Sequence, residues 1–116
     1  MATLSTHVLD NGRGKPAAGI VIELHAVRDG ARHHLSTAVT NDDGRLNTPL
    51  SSSPLASGVY ELTFHAGDYL RANGLTLPDP PFLDEIVIRF GIGDASAHYH
   101  VPLLLSTYGY STYRGS

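Results

Sequence analysis

The amino-acid sequence predicts an all-β protein, a sandwich built from seven or eight short strands. Short segments of alternating apolar and polar residues recur along the 116 residues, with clusters of turn-forming residues between them. A parallel α/β sheet would need several crossover helices, and residues 66–73 are the one segment with a helical composition. No internal repeat or low-complexity segment is apparent, so residues 1–116 are predicted to form a single domain.

Four segments of the first half are predicted as strands: 2–9, 19–28, 31–40 and 46–50. Turn-forming residues separate them: 10–14, 29–30 and 41–44. Alternation in the first strand puts His7 on its more polar face. The Asp29-Gly30 pair is a strong signal for a hairpin, and Arg45 follows directly after the turn that ends at Gly44.

The second half of the chain is predicted to contain further strands around one short helix. The strands are 58–65, 85–92 and two within 98–116. The helix over 66–73 is predicted to end at Gly74, because glycine is favoured just past a helix C-terminus. Three prolines within residues 78–81 exclude regular structure there.

The composition excludes several classes of site and partner. The sequence has no cysteine, which excludes disulfides, thiolate metal ligands and cysteine nucleophiles. The formal net charge is −3 and no basic patch is evident, so nucleic acid is not expected as a partner. Charged residues make up 16% of the chain, below the roughly 25% of typical domains, which indicates that other subunits cover part of the surface.

No segment has the features of a secretory signal or of a membrane span. Residues 1–7 lack a basic region followed by an apolar run. No apolar run approaches the roughly 20 residues that cross a bilayer. The ending Arg-Gly-Ser differs from the peroxisomal signal Ser-Lys-Leu. We therefore expect a cytoplasmic protein without a membrane partner.

The last nineteen residues, HYHVPLLLSTYGYSTYRGS, carry the densest pattern in the chain. They alternate as a strand, break at a Ser-Thr turn, and alternate again to the end. Ends that nothing fixes are usually polar and without pattern, so this one is predicted to be folded. Four of the six tyrosines lie here, three of them after the turn (Tyr108, Tyr110 and Tyr113), and His98 and His100 share a strand face because side chains alternate with a period of two.

Taken alone, the residues leave the roles of these histidines and arginines open. A His-x-His pair suits zinc, with His7 or a carboxylate as a further ligand. The same histidines are compatible with surface or packing roles, and Arg45 with an exposed turn. Arg114 is placed to pair with the C-terminal carboxylate, and an exposed pair of that kind contributes little to stability.

Three motifs resemble those of the 5-hydroxyisourate hydrolases, the transthyretin-related enzymes of purine breakdown. The chain has LSTHVLDNGRGKPA at residues 4–17, Asp43-Gly44-Arg45 in its middle, and YHVPLLLS followed by YGYSTYRGS at its end. The terminal Tyr-Arg-Gly-Ser is the hallmark of that family. Three motifs in order, across nearly the whole chain, make the resemblance specific. Thr107 stands where the family usually has proline.

The resemblance implies a fold and an assembly. The fold is the transthyretin-like sandwich of two four-stranded sheets with one short helix. The assembly is a homotetramer, a dimer of dimers, with sites in the channel between dimers. A second subunit would supply the concavity that one flat sheet face lacks, and the tyrosine-rich last strand suits an interface.

The resemblance also implies the site residues by position: catalytic His7, Arg45, His100 and Ser116, and substrate-binding Tyr113, Arg114 and Gly115. The Tyr-His-Val-Pro match selects His100 rather than His98 as the second histidine. His98 is then a neighbour on the same face. Which of the two catalytic histidines is the general base stays open.

These residue types suit the reaction that the resemblance implies, hydrolysis of 5-hydroxyisourate to 2-oxo-4-hydroxy-4-carboxy-5-ureidoimidazoline. A histidine with a pKa near neutrality is the usual general base for water, and a guanidinium stabilises charge that develops on a carbonyl oxygen. Water is the expected nucleophile, since cysteine is absent and no serine lies in a G-x-S-x-G context. No cofactor or metal is expected. The alternatives are a transthyretin-like carrier without catalysis and a structural or metal-binding sandwich.

Overall fold

The chain folds as a sandwich of two four-stranded sheets with one short helix in the computed structural model, which describes residues 2–51 and 53–115. The elements are β1 (Thr3–Asp10), β2 (Lys15–Pro16), β3 (Val21–Arg28), β4 (Ala31–Val39), β5 (Gly58–His65), α1 (Ala66–Ala72), β6 (Glu85–Ile92), β7 (His98–Leu105) and β8 (Tyr110–Thr112). One sheet has the order β2-β1-β7-β8 and the other β4-β3-β5-β6. The predicted all-β class, sheet count and helix are confirmed.

The core lies between the two sheets and is filled by every second side chain of the central strands. Its largest fully buried members include Val8, Leu103 and Leu105 from one sheet and Ile22, Leu24, Leu62 and Phe64 from the other. Full burial of one such side chain stabilises the fold by about 1.5–3 kcal/mol. This alternation sends the opposite set of side chains of β1 and β7 to the outer face of their sheet.

The helix is fixed to the end of β1 through a buried carboxylate. The Tyr69 hydroxyl donates a hydrogen bond of 2.8 Å to Asp10, whose other oxygen accepts one of 3.1 Å from the backbone N–H of Arg13. Burial, followed by the hydrogen bond with Asp10, raises the pKa of Tyr69. The turn after β1 and the helix are therefore held together at one end of the sandwich.

The prediction of a short strand over residues 46–50 is wrong. The segment is irregular, and Pro49 has no N–H to give to a ladder. Leu50 is fully buried, and its carbonyl oxygen accepts a hydrogen bond from the Ser36 hydroxyl instead of from a neighbouring strand. Leu46 and Leu50 thus belong to a loop that buries its end.

Over residues 2–51 and 53–115, the structure contains no helix of the length and apolar character needed to cross a membrane.

Candidate active site

The outer face of β1 and β7 carries the histidines that the sequence singled out. The two strands pair in parallel, in a register that sets Thr3 opposite His98 and Ser5 opposite His100. His7 is one pleat further along, opposite Pro102. Side chains of directly opposed residues lie within contact distance on one sheet face. The register therefore brings the histidine of the first motif beside the histidines of the last one.

The turn before Arg45 packs against His7 because of one glycine. Gly44 has φ +71°, a conformation that favours glycine, and its carbonyl oxygen accepts a hydrogen bond of 2.9 Å from the Val8 N–H. A Cβ on Gly44 would collide with the Val8 carbonyl oxygen and lie 3.3 Å from Cδ2 of His7. The Asn41 side chain accepts hydrogen bonds from the N–H groups of Asp43 and Arg45, at 2.9 and 3.1 Å. These contacts fix Arg45 next to β1.

The surroundings of His7 favour its neutral form. Burial, followed by the charge of Arg45, lowers the pKa of the imidazole. A hydrogen bond with the backbone of Asp43 and the charge of that residue act in the opposite direction and are weaker. A neutral imidazole next to a guanidinium is able to accept a proton from water at neutral pH.

His100 is placed in a comparable environment. Burial is the main cause of its lowered pKa, and the charges of Arg45, His7 and His98 add to it. Its Nδ1 lies 2.8 Å from the Ser5 hydroxyl. Arg45 thus acts on both histidines at once, so the three side chains share one electrostatic environment.

The C-terminal motif reaches this region through Gly115. The Gly115 N–H donates a hydrogen bond of 2.8 Å to the carbonyl oxygen of His100, and a Cβ on Gly115 would lie 2.5 Å from Cδ2 of that ring. Only glycine permits this approach. The preceding Arg114 instead packs over the Tyr99 ring, at 4.2 Å from its centroid, and Tyr113 is 57% exposed. Ser116, the remaining predicted catalytic residue, lies outside the described residues.

Sequence reasoning missed the hydroxyl groups on this face. The Thr3 hydroxyl lies 2.6 Å from Nδ1 of His98, and the Ser5 hydroxyl lies 2.9 Å from Nε2 of the same ring. With the contact to His100, these side chains form a continuous chain of hydrogen bonds. Alternation already puts Thr3 and Ser5 on the same face as His7, but their partners follow only from the pairing of β1 with β7.

An open cavity of about 600 Å³ lies beside His98. Arg45, Ser5 and His98 line it together with the irregular segment that follows Arg45. A second cavity of about 230 Å³ is lined by Tyr113 and Arg114, among others. The described protomer therefore does not bring those two side chains to His7 and His100. Across residues 2–51 and 53–115, no group of three or more metal-ligating side chains is placed to hold an ion.

Comparisons with known proteins agree with this fold. A family model described as the HIUase/Transthyretin family matches residues 4–115, and the chain belongs to this family. It is 58% identical over 114 residues to "5-hydroxyisourate hydrolase 2" of Rhizobium meliloti (strain 1021), covering 97% of this chain and 95% of the relative. The resemblance seen in the three sequence motifs is thereby confirmed.

Solved structures share the sandwich. The chain superimposes on (S)-allantoin synthase with a TM-score of 0.90 at 44% identity, covering 99% of this chain but only 44% of that one. Sea bream transthyretin in complex with thyroxine gives a TM-score of 0.86 at 26% identity, covering 97% and 94% of the two chains. The transthyretin-like sandwich predicted from the sequence is confirmed.

Proposed function

We propose that this protein hydrolyses 5-hydroxyisourate, opening the six-membered ring at its N1–C6 bond to give 2-oxo-4-hydroxy-4-carboxy-5-ureidoimidazoline in urate degradation. The observation that carries the proposal is the convergence of His7, Arg45 and His100 on one sheet face. A relative with 58% identity over 97% of the chain, named as such a hydrolase, supports the choice of substrate. Residues 1–116 act as one hydrolase domain in this proposal.

In the proposed mechanism, His7 and His100 form the acid–base pair. One imidazole removes a proton from water as the water oxygen bonds to C6 of the substrate. Negative charge then develops on the carbonyl oxygen, where the Arg45 guanidinium stabilises it. Collapse of this intermediate breaks the C6–N1 bond, and a histidine returns a proton to N1. The lowered pKa values keep both rings neutral and therefore able to accept protons at pH 7.

The terminal tetrapeptide is proposed to form a wall of the substrate pocket. Gly115 supports this because its backbone lies directly against the His100 ring. Tyr113 and Arg114 are proposed to contact substrate, and Ser116, which lies outside the described residues, to position the attacking water.

The active assembly is proposed to be a homotetramer, a dimer of dimers, with substrate held between dimers. The outer sheet face leaves both catalytic histidines accessible, whereas small-molecule sites are concave. Tyr110, on the edge strand β8 of the same sheet, and Tyr113 are 45% and 57% exposed, and exposed tyrosines are typical of interfaces. Light scattering tests the assembly, and a monomer under assay conditions would contradict it.

The decisive assay follows the ultraviolet decay of 5-hydroxyisourate freshly made from urate and urate oxidase. Because the substrate decays by itself, the rate without enzyme is the baseline. We expect clear acceleration by the wild-type protein and a loss of about 10²–10⁴-fold in kcat for His100→Asn. His33→Asn, an exposed histidine on β4, is the matched control and should keep full activity. Deletion of Ser116 tests the terminal residue.

The same assay separates hydrolysis from the carrier alternative. Folded wild-type protein that leaves the baseline rate unchanged, yet binds an aromatic ligand such as thyroxine saturably, would favour a transthyretin-like carrier. Activity lost to a chelator and restored by zinc would contradict the prediction that no metal or cofactor is needed. The absence of nucleic-acid and membrane partners and the cytoplasmic location stay predictions.

A further inference from the structure

A chain of hydrogen bonds joins His100 to an exposed histidine. Nδ1 of His100 lies 2.8 Å from the Ser5 hydroxyl, which lies 2.9 Å from Nε2 of His98. Nδ1 of His98 is in turn 2.6 Å from the Thr3 hydroxyl. His98 and Thr3 are exposed, whereas Ser5 and His100 are half-buried. The chain therefore runs from the catalytic region to solvent.

The same contacts orient the His100 ring. Ser5 holds Nδ1, and the backbone of Gly115 lies against the Cδ2 edge. In the described part of the chain, the bond to Ser5 is the one side-chain hydrogen bond of this ring, which leaves Nε2 for water or substrate.

We propose that Ser5 and His98 are positioning residues that carry protons between His100 and solvent during hydrolysis. This proposal, which rests on the proposed function, makes His100 the general base. His98 is neither a metal ligand nor a passive neighbour in it. Its ring is the outer half of a two-histidine relay with Ser5 as the link.

The proton steps balance as follows. As His100 Nε2 forms a bond to a water proton, Nδ1 releases its own proton to the Ser5 oxygen. The Ser5 hydroxyl passes its original proton to Nε2 of His98, and His98 releases the proton on Nδ1 to solvent past Thr3. The hydroxide left by the water bonds to C6 of the substrate. His100 is then neutral, with its proton on Nε2. As it gives this proton to the departing N1, the relay runs in reverse. Ser5 returns a proton to Nδ1 of His100, His98 gives the proton on Nε2 to Ser5, and His98 takes up a proton on Nδ1 from solvent.

Charge around His100 explains why such a route is useful. Arg45, His7 and His98 all act against a positive charge on this ring, in addition to burial. An imidazolium held there would face the Arg45 guanidinium throughout the reaction. Transfer through Ser5 lets His100 take up a proton without keeping the charge, since the positive charge moves to the exposed His98.

The single proton of Ser5 couples the two rings. When the Ser5 hydroxyl donates to Nε2 of His98, that nitrogen carries no proton, so neutral His98 is protonated on Nδ1. The Ser5 oxygen then accepts from His100, which must therefore hold its proton on Nδ1 as well. When the hydroxyl donates to His100, both rings are protonated on Nε2. Neutral His98 and His100 are therefore expected to occupy the same tautomer, Nδ1–H in the resting state, where His100 is ready to act as base.

The kinetic test uses Ser5→Ala and His98→Gln in the full-length protein. Each is expected to lower kcat by about tenfold or more, with a smaller change in KM, and Ser5→Thr, which keeps a hydroxyl, to restore most of it. The controls are Ser57→Ala and His33→Gln at exposed positions. The dependence of kcat on the deuterium fraction, measured in water–deuterium oxide mixtures, should indicate several transferred protons for the wild type. It should indicate fewer for Ser5→Ala. Melting curves verify that each variant is folded.

The spectroscopic test does not depend on turnover. Nitrogen-15 NMR of the histidine rings assigns the tautomer of each neutral imidazole. We expect Nδ1–H for His98 and His100 in the wild type, and a shift of His100 toward Nε2–H in Ser5→Ala. Opposite tautomers in the wild type, or unchanged kcat in both folded variants, would overturn the relay. A wild type without any hydrolysis would instead refute the proposed function.

Discussion

The two outer sheet faces of this sandwich both carry several histidines, but their neighbours differ. On the β4-β3-β5-β6 sheet, His65 pairs with Glu23 at 2.6 Å, and His34 lies 3.8 Å from the same carboxylate. On the β2-β1-β7-β8 sheet, the polar side chains that hydrogen-bond His98 and His100 are the hydroxyls of Thr3 and Ser5.

The difference shows how one residue type serves two purposes. On the first face, the hydrogen bond with His65 lowers the pKa of Glu23, so histidine serves as the partner of a charged carboxylate. On the second face, burial and the nearby Arg45 guanidinium favour the neutral rings of His7 and His100, the form that abstracts a proton. The carboxylate-rich face is completed by Glu61, 7% exposed, which pairs with Arg32 at 2.8 Å and with Arg89 at 2.9 Å. We infer that this face stabilises the fold and that the hydroxyl-rich face performs the chemistry.

Replacement of Arg45 by glutamine should have a large effect on the catalytic face. We expect kcat/KM to fall by about 10²–10³-fold, because the developing oxyanion loses its cation. Arg45 also lowers the pKa of His7 and His100, so its removal raises both values and the acid limb of the pH–rate profile should move to higher pH. Arg28→Gln, at an exposed position, is the control. A profile that keeps its acid limb would contradict the assigned role.

Replacement of Glu61 by glutamine tests the opposite face. The change leaves Arg32 and Arg89 without their carboxylate. We expect the free energy of unfolding to fall by about 2 kcal/mol. This is less than for a fully buried pair, because both arginines are partly exposed. Asp68→Asn, in an exposed pair with Arg71, should cost under about 0.5 kcal/mol. Urea unfolding at fixed protein concentration measures both, and kcat should stay unchanged in each.

Gly115→Ala should have a smaller effect that is confined to the catalytic face. The added Cβ meets Cδ2 of His100 at 2.5 Å, so the ring must turn away from Ser5. We expect kcat to fall about tenfold with little change in melting temperature. Gly93→Ala, where a Cβ meets nothing within 4 Å, is the matched control. Equal activity of the two variants would show that the His100 ring tolerates displacement.

The smallest expected effect is on stability in acid. The pKa of His100 is lowered in the folded protein, so its contribution to stability is lost as the pH falls below 6.5, the ordinary pKa of histidine. The pKa of Glu23 is lowered chiefly by its hydrogen bond with His65, and its contribution is lost only below pH 4.5. The wild-type protein should therefore lose more unfolding free energy than His100→Asn when the pH is lowered from 7.5 to 5.5. The difference should be under about 1 kcal/mol, because His100 is half-buried. Glu23→Gln should reduce the loss that sets in below pH 4.5.

The sequence predicted the strands and the faces of His7 and His100 well, because side-chain alternation is a local property. It failed at residues 46–50, where the two leucines belong to a loop that buries Leu50. It also failed to assign Ser5 and His98 to each other, since their contact depends on the pairing of β1 with β7 across 93 residues. Long-range register is set by packing in three dimensions and leaves no local signal.

The parallel pairing of β1 with β7 has a consequence for folding. The Ser5–His100 contact closes a loop of 95 residues, whereas the hairpin of β3 and β4 closes across two. Closure over long sequence separations carries a larger entropic cost and is slow in two-state domains. The rate at which hydrolytic activity returns during refolding would therefore report the rate at which β1 pairs with β7. The β3–β4 hairpin would form separately from that step.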